Sequence, residues 1–483
     1  MMLTLSDLVH SLISSQLAEA MPLAMRSKPI TELVIDSRKA TVGSLFVALP
    51  GEHQDGHDFV PAAFATGSVA AITDQAVQFD GLTLSAEPAS WPQTAQEWRL
   101  PICLRVANSM IGLQQLAADW RSRFAPNVIG ITGSIGKTST KELTYRVLSQ
   151  KFNTLHSLGS MNNEIGLPLT LMTLNESHEQ VVLEMGTYGA GEIETLCRIA
   201  RPHVGLVTNI GPTHLERMGT IENIVTAKRE LIETLDQDGT AVLNHDDARV
   251  MSMADYAAGR VLTYGLTPKA DLWADQLVSE GLEGIRFVFH HQQETVPVTV
   301  PLLGRHSVYT ALAAAAVGLS QAMSWDEIVP GLQDKRAQLR LMTTPGPNGS
   351  IILDDTYNAN ATSSIAALDL LDELIAGRKI AVLGDMAELG VETENEHRKV
   401  GRRVVEVVDM LITLGPKARL IAEEATADGF DRSAIISLDT AETLFEQLNQ
   451  IAAPGDMILI KGSRSLRLES IVAKLTAASA EAT

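Results

Sequence analysis

Residues 127–142 read NVIGITGSIGKTSTKE, which is a β-branched run, a turn with two glycines and a polar helical segment. Glycines let backbone N–H groups turn inward, and the start of a helix adds the positive end of its dipole. Lys137 can reach the outer phosphates of a nucleotide, and the hydroxyl of Thr138 can bind Mg²⁺. The order strand, glycine-rich turn, Lys-Thr and helix therefore predicts a loop that binds nucleotide phosphates.

The spacing of this turn differs from the standard phosphate-loop pattern. The pattern G-x-x-x-x-G-K-[ST] needs a glycine five residues before Gly136, where this chain has Ile131. The simpler interpretation is an ordinary turn between a strand and a helix. That interpretation leaves the Lys-Thr-Ser-Thr run at the helix start unexplained, so phosphate binding is the preferred hypothesis.

The composition limits the classes of protein to which the chain can belong. Its 483 residues are 45% hydrophobic and 4% aromatic, which is sufficient for several cores built from aliphatic side chains. The formal net charge of −20 argues against a protein that coats nucleic acid or an anionic membrane. Cys103 and Cys197 are the only cysteines, and their separation indicates neither a disulfide framework nor a thiolate metal site.

The N-terminal sequence MMLTLSDLVHSLISSQ indicates an amphipathic helix. It lacks a basic region, and Asp7 and His10 interrupt its apolar residues, so it does not read as a signal peptide. The longest strongly apolar run, residues 311–319, is too short to span a bilayer. We therefore expect a cytoplasmic, soluble protein without membrane insertion and without a nucleic-acid partner.

Three regions differ in the order of their predicted elements. Residues 1–103 contain the strand patterns ELVIDSR, SLFVALP and VAAITD, and residues 75–100 are predicted to be irregular. In residues 104–329, runs such as VVLEMG, HVGLVTNIG and GTAVLNHDD alternate with helices, which predicts a mostly parallel sheet between helices. Residues 330–483 repeat the alternation with SIILDDTYN, KIAVLGDM, DMLITLG and DMILIKGS. We predict an α/β protein of three domains with these boundaries.

Polar residues after the strands of the middle region are site candidates, because ligands bind beyond the carboxyl ends of parallel strands. Glu184 follows the apolar run VVL and either binds Mg²⁺ or is a solvated or helix-capping residue. His214 is either a site member or a polar surface residue. The pattern around Lys228 by itself favours a solvated helix lysine. Further candidates at strand ends are Asn209, Asn244, Asp246 and Asp247.

The last and first regions also contain polar clusters. Residues 354–360 read DDTYNAN after a strand, which indicates a ligand loop or an Asx-rich turn. Lys461 and Arg464 flank a Gly-Ser pair, and they either contact a phosphate or carboxylate or are surface cations at a helix start. Asp36-Ser37-Arg38 and the loop of residues 51–59, GEHQDGHDF, could bind an anionic group of a substrate.

The motifs of this chain resemble those of the Mur ligases in identity and order. They are TGSIGKTS, LEMG, NIGPTHLE followed by TAK, DDTYNAN, VLGDMAELG and IKGSR. One branch of the family is resembled more closely than its sister ligases. The motifs that carry this resemblance are DDTYNAN, LGDMAELG and the N-terminal DSR with LFVALPGEHQDGHDF. The resemblance implies an N-terminal α/β domain for a UDP-linked substrate, a central phosphate-loop ATPase domain and a C-terminal Rossmann-like domain.

The resemblance also implies an activity. The terminal carboxylate of UDP-MurNAc-tripeptide would attack the γ-phosphate of ATP, and the amine of D-Ala-D-Ala would then displace phosphate from the acyl phosphate. Lys137, Mg²⁺ and Lys461 or Arg464 would stabilise the anions that meet there. Lys228 matches a lysine that is carbamylated in related ligases, and this replaces the surface interpretation. A monomer is expected.

The residues that the resemblance implies form four sets. The catalytic set is Lys137, Lys228, His214 and Lys461. The ATP-binding set is Gly133, Ser134, Gly136, Lys137, Thr138, Ser139, Asp355 and Asn358. The substrate-binding set is Ser37, Arg38, Asn162, Asn163 and Arg464, and the Mg²⁺-binding set is Thr138, Glu184, His214 and Lys228.

Some positions depart from the family pattern, and two other functions stay open. Ser160, Ser307 and Thr310 stand where asparagine is usual, and Ala361 stands where proline is usual. The asparagine at the position of Thr310 helps to bind adenine, so the adenine contacts stay open. One alternative is an amide ligase similar to folylpolyglutamate synthase, for which DSR and GEHQDGHDF have no role. The other is an ATP-dependent switch without ligation.

Overall fold

The computed structural model describes residues 2–51, 53–337 and 341–481. The chain forms two compact units. The first contains Met1–Ile129, Phe152–Met185 and Glu192–Pro202, and the second contains Gly130–Lys151, Gly186–Gly191 and His203–Thr483. No helix among the described residues is long and apolar enough to cross a membrane.

The N-terminal part is a parallel sheet with helices, as its strand patterns predict. Its helices are α1 Leu5–Leu12, α2 Ser15–Ala20, α3 Leu23–Arg26, α4 Val60–Ala65 and α5 Ser109–Ser122. Its strands are β1 Leu33–Val34, β2 Leu45–Val47, β3 Ala70–Thr73, β4 Leu82–Ser85 and β5 Ile102–Arg105, in the order β1-β2-β3-β5-β4. The predicted N-terminal helix begins at a capping box between Thr4 and Asp7.

One part of this region differs from the prediction. Residues 75–100 are not wholly irregular, because β4 lies within them and pairs in parallel with β5. The strand has only four residues, and only the last two are buried. So short a run between turn residues has too few buried positions to produce a clear alternating pattern.

The middle region combines parallel strands with an antiparallel extension. Its strands are β6 Asn127–Thr132, β7 Thr154–His156, β8 Gln180–Glu184, β9 Val204–Val207, β10 Thr240–Asn244, β11 Arg260–Gly265, β12 Leu272–Ser279, β13 Ile285–His291 and β14 Glu294–Val300. Its helices are α6 Lys137–Leu148, α7 Gly166–Leu171, α8 Glu192–Ala200, α9 Leu215–Met218, α10 Ile221–Glu233, α11 Ala248–Met251, α12 Ser307–Ser320 and α13 Trp325–Leu332.

Pairing in the middle region follows the prediction up to β12. In the first unit β7 and β8 are parallel, and in the second unit β9, β10, β11 and β12 are parallel neighbours in that order. β12, β13 and β14 are instead joined by antiparallel pairing. The regular alternation of strand and helix predicted up to residue 329 therefore does not hold from β11 to β14.

The C-terminal region is a six-stranded sheet. Its strands are β15 Met342–Pro345, β16 Ile351–Asp355, β17 Lys379–Gly384, β18 Met410–Leu414, β19 Ile435–Leu438 and β20 Met457–Lys461. Its helices are α14 Ala361–Glu373, α15 Thr393–Val407, α16 Arg419–Ala427, α17 Ala441–Ile451 and α18 Leu468–Glu481. All strands except the edge strand β15 are parallel, and the order is β15-β16-β20-β17-β18-β19.

This strand order brings the ends of β16, β20 and β17 together. The register pairs Asp355 with Lys461 and Lys461 with Leu383. Separate apolar clusters cover the two faces of the sheet. The adjacent carboxyl ends therefore form a place where a ligand can bind. The fold is α/β with mostly parallel sheets, as predicted, and the domain boundaries at residues 103 and 329 remain a prediction.

Candidate active site

The predicted phosphate loop lies between β6 and α6. Gly136 adopts the left-handed conformation (φ 83°) directly before the helix, and Gly133 also has a positive φ, of 142°. A Cβ at Gly133 would lie 1.9 Å from Oγ1 of Thr208, so only glycine fits there. The loop is therefore a true glycine turn, and the missing earlier glycine does not prevent it.

Residues after β9 hold the loop in place. The N–H of Ile135 donates to Oδ1 of Asn209 (2.9 Å), and the carbonyl of Ile135 accepts from Nδ2 of Asn209 and from Oγ1 of Thr208. Ser134 donates to the carbonyl of Gly211 and accepts from its N–H. Asn209, a strand-end candidate, thus supports the loop by shaping its backbone.

Lys137 lies over the loop that precedes it. Its Nζ donates to the carbonyls of Gly133 (2.9 Å) and Ser134 (3.3 Å). Thr138 and Ser139 are half-buried in the first turn of α6. The ammonium group and the helix start are therefore both at the turn where phosphates were predicted to bind.

Lys228 is buried on α10 and is 2% exposed. The apolar neighbours Ile224 and Leu231 lie on the same face of the helix, and both are buried. Within the described part of the chain no carboxylate forms an ion pair with this lysine. Burial lowers the pKa of Lys228 far below its usual value, and the charge of Lys137 acts in the same direction. The structure therefore excludes the solvated-lysine interpretation.

His214 contacts a carboxylate and is influenced by the charges of two lysines. Its Nδ1 contacts Oε2 of Glu388, and its ring packs edge-on against Tyr188 with centroids 4.7 Å apart. Burial lowers the pKa of His214, Glu388 opposes this shift, and Lys137 and Lys228 add to it. His214 is therefore not an isolated surface residue. Sequence reasoning missed Glu388, although it lies in the motif VLGDMAELG.

Glu184 ends β8 in the first unit and is 2% exposed. Nδ2 of Asn162 donates to its Oε1 at 2.7 Å, and its N–H donates to Oγ of Ser157. Its Oε2 is buried and has no hydrogen-bond partner among the described residues. A buried carboxylate oxygen without a partner fits a metal ligand. Asn163 instead accepts the N–H of Gly166 and fixes the start of α7.

The predicted Mg²⁺ ligands are not all acidic residues and histidines. The described residues contain no group of three or more His, Cys, Asp or Glu that could hold a metal ion. The predicted set of Thr138, Glu184, His214 and Lys228 includes a hydroxyl and a modified lysine. The magnesium assignment therefore remains a prediction that needs Thr138, Glu184 and His214 together with the modification of Lys228 that the resemblance implies.

At the end of the C-terminal sheet, Lys461 forms a buried ion pair. Its Nζ lies 2.5 Å from Oδ2 of Asp355 and 2.9 Å from the carbonyl oxygen of Asn358. The guanidinium of Arg464 lies over the ring of Tyr357 at 5.3 Å. A cleft of about 310 Å³ lies here, and it is lined by Met342, Asp354, Asp355, Thr356, Tyr357, Arg464 and Glu469. The structure thus brings together Asp355, Lys461 and the segment around Asn358.

The predicted substrate residues Ser37 and Arg38 lie in a 3₁₀ turn. Arg38 binds Asp36 with two side-chain hydrogen bonds (2.9 and 2.7 Å), and these bonds hold the pKa of Asp36 at about 2. The guanidinium is 86% exposed, so the pair is accessible but already neutralised. A substrate anion would compete with Asp36 for it.

The loop of residues 51–59 has a structural role at His57, and Glu52 lies outside the described residues. His57 is buried, with Nδ1 2.6 Å from Asp55 and Nε2 3.1 Å from Asp74. The ring therefore ties the loop to the end of β3. Anion binding by this loop would use other residues than His57.

Other strand-end candidates fix the backbone. Asn244 donates to the carbonyl of Thr208 (3.0 Å), and Asp247 accepts from the N–H of Ile210 (2.8 Å). Asp246 accepts from the N–H of Leu266 and from the hydroxyl of Tyr309. These contacts account for the polar residues without a ligand. Ser307, where the family has asparagine, donates to the carbonyl of Leu303.

Models of three Mur ligase domains match successive parts of the chain. The family catalytic domain matches residues 29–118, the middle domain matches residues 131–318, and the glutamate ligase domain matches residues 339–464. Together these matches cover most of the chain.

Relatives match over nearly the full length. A UDP-N-acetylmuramoyl-tripeptide–D-alanyl-D-alanine ligase of Synechocystis is 34% identical over 453 residues, which is 93% of this chain and 92% of the relative. The crystal structure of MurF from Acinetobacter baumannii has a TM-score of 0.84 at 30% identity and covers 99% of both chains. MurF from Thermotoga maritima in complex with ADP has a TM-score of 0.77 at 27% identity, covering 94% of this chain and 98% of that one. The chain therefore belongs to the Mur ligase family, in its MurF branch.

Proposed function

We propose that this chain joins D-Ala-D-Ala to UDP-MurNAc-tripeptide at the expense of ATP, the last cytoplasmic step in the assembly of the peptidoglycan pentapeptide precursor. The observation that carries the proposal is the glycine turn with Lys137 over it and the buried Lys228 beside it. The relative from Synechocystis, which bears the name of this activity, matches over nearly the full length. The T. maritima structure in complex with ADP supports nucleotide binding.

The reaction forms one amide bond and cleaves ATP to ADP and phosphate. The tripeptide carboxylate attacks the γ-phosphorus, ADP leaves, and an acyl phosphate forms. The amine of D-Ala-D-Ala then attacks the acyl carbon, loses a proton, and phosphate leaves as the tetrahedral intermediate collapses. Lys137 and the backbone N–H groups of the turn bind the phosphates and stabilise their charge.

The proposal includes a Mg²⁺ ion, and the buried Oε2 of Glu184, which has no hydrogen-bond partner among the described residues, supports it. The orphaned Oε2 of Glu184, the hydroxyl of Thr138, His214 and a modified Lys228 would hold Mg²⁺. Bound Mg²⁺ neutralises phosphate charge. A buried amine with no acidic partner among the described residues fits carbamylation, in which the lysine nitrogen bonds to the carbon of CO₂, releases a proton and becomes an anion. We therefore infer a carbamylated Lys228.

The domains have separate roles in this proposal. Residues 1–103 bind the UDP-sugar end through Ser37 and Arg38, residues 104–329 bind ATP, and residues 330–483 close the site with Asp355, Asn358, Lys461 and Arg464. Asn162, which contacts Glu184, and Asn163 would bind the substrate. A cytoplasmic monomer is the expected form.

Phosphate release tests the proposal. The assay contains UDP-MurNAc-tripeptide, D-Ala-D-Ala and ATP, and each is omitted in turn. We expect release that needs both the acceptor carboxylate and the donor amine. Release that needs a folate would support the folylpolyglutamate-synthase-like ligase, and release that needs neither substrate would support the switch. Either outcome would overturn the proposal.

A further inference from the structure

The loop Asp385 to Gly390, which follows β17, places one carboxylate against His214. Oε2 of Glu388 contacts Nδ1 of the ring, although the two residues are 174 positions apart. Both residues have left-handed backbone conformations, with φ of 57° at His214 and 62° at Glu388, and neither is glycine. Such conformations are uncommon for residues with side chains and cluster at functional sites. That both residues of one contact adopt this conformation needs an explanation beyond the packing of the loops.

The loop is anchored to the C-terminal sheet. The N–H of Ala387 donates to Oγ of Ser463 (2.7 Å), and the N–H of Ser463 donates to the carbonyl of Asp385 (3.0 Å). The N–H of Met386 donates to Nε2 of the buried His397 (3.0 Å). Glu388 therefore extends from a loop whose position is set by β20 and α15.

The contact between Glu388 and His214 is too exposed to contribute much to the stability of the fold. The side chain of Glu388 is 48% exposed, and ion pairs of that exposure contribute little to the free energy of folding. The loop also approaches α9, because the N–H of Glu216 points to the carbonyl of Glu388 (3.4 Å) and Gly390 lies against Glu216. The side-chain contact therefore has a role at His214 itself.

The two nitrogens of an imidazole ring are not equivalent once one is hydrogen-bonded. A carboxylate at Nδ1 holds the proton on Nδ1 and leaves the lone pair on Nε2, and it also fixes the orientation of the ring. Tyr188 packs against the same ring from the side. The geometry points to Glu388 as a positioning residue that fixes the His214 ring through Nδ1 and leaves Nε2 available to a ligand.

This inference rests on the proposed function, because that function places a metal ion or a phosphate next to His214. It also links two motifs. Ser463 of IKGSR holds the loop from which Glu388 of VLGDMAELG extends, so the orientation of His214 depends on the position of the C-terminal sheet.

Two substitutions of similar volume test the role. Glu388→Met removes the acceptor, whereas Glu388→Gln retains a carbonyl oxygen that accepts the Nδ1 proton. The probe is the affinity of Mn²⁺, measured by electron paramagnetic resonance in the presence of a non-hydrolysable ATP analogue, together with kcat and KM. We expect Glu388→Met to weaken Mn²⁺ binding and to lower kcat by about 10–100-fold, and Glu388→Gln to retain most of both. Glu392→Met, in the same loop region, is the matched control and should resemble the unmodified chain.

His214→Ala separates this inference from the proposed function. We expect it to weaken Mn²⁺ binding, and Glu388→Met should add no further loss in that background. If His214→Ala weakens Mn²⁺ binding but Glu388→Met does not, or if the two losses add, the positioning role is overturned. If His214→Ala leaves Mn²⁺ affinity and kcat unchanged, the assignment of His214 to the site fails, and the positioning role fails with it.

Discussion

Two lysines of this chain are equally buried and have opposite surroundings. Lys228 on α10 and Lys461 at the end of β20 are each 2% exposed. Lys461 has the carboxylate of Asp355 at 2.5 Å and a backbone carbonyl at 2.9 Å. Lys228 has no ion-pair partner in the part of the chain that the structure describes, and burial lowers its pKa strongly.

The difference lies in whether the fold itself supplies a counter-ion for a buried cation. Moving an ammonium group out of water is unfavourable unless a counter-ion and hydrogen bonds replace the water. Lys461 has both within its own sheet, so its charge is balanced before any ligand arrives. Lys228 has neither among the described residues, so its position favours a neutral amine or a modified group. A lone buried lysine beside a phosphate loop is therefore the stronger indication of chemistry.

The largest expected effect is on stability, in the variant Lys461→Met. It leaves the carboxylate of Asp355 buried without its partner, which costs about 3–5 kcal/mol. Hydrogen exchange by mass spectrometry should show faster exchange in peptides that contain β16 and β20. Asp355→Asn in the same chain should restore part of the protection. Unchanged exchange in the single variant would mean that the ion pair of Lys461 does not stabilise the sheet, and the contrast with Lys228 would fail.

Lys228→Ala should have the opposite profile. We expect phosphate release to fall by about 10²–10³-fold, because a group at the reacting phosphates is lost. Exchange of α10 should change little, because no ion pair is broken. A small carboxylate such as acetate or formate should restore part of the activity by replacing the carbamate. Lys269→Ala, at an exposed lysine, is the control. Full activity of Lys228→Ala would return this residue to a structural role.

Much of the fold was predictable, because buried parallel strands give continuous β-branched runs. HVGLVTNIG and KIAVLGDM correspond to β9 and β17. β4 was missed because it is short and only two of its residues are buried. The antiparallel pairing of β12, β13 and β14 was missed because the residue pattern of a strand does not show whether its neighbour runs parallel or antiparallel. The pattern around Lys228 by itself favoured a solvated lysine and was wrong, although Ile224 and Leu231 flank this residue at helical spacing and are buried with it.

The site was predictable only where its residues are close in sequence. The turn from Gly133 to Thr138 is a local motif, and its backbone geometry follows from its glycines. The contact between His214 and Glu388 depends on two loops from different parts of the chain, and no local pattern encodes it. Arg38 and Asp36 are only two residues apart in sequence, yet the sequence does not show whether the guanidinium of Arg38 binds Asp36 or a substrate.

The smallest expected effect concerns a second ion pair of the C-terminal sheet, between Arg378 and Asp456. Burial by itself raises the pKa of Asp456, but hydrogen bonds from Arg378 (2.6 and 3.0 Å) and from the N–H of Ala453 hold it below its usual value. A carboxyl with a lowered pKa stabilises the folded state above its unfolded pKa of about 3.9, and this stabilisation is lost as the pH falls through the folded value. The difference in unfolding free energy between the unmodified chain and Asp456→Asn should therefore be constant above about pH 5 and shrink below about pH 4. Urea unfolding followed by circular dichroism measures it. In an Arg378→Met background this pH dependence should shrink, because only the hydrogen bond from Ala453 remains, and an unchanged pH dependence there would show that Arg378 is not its cause.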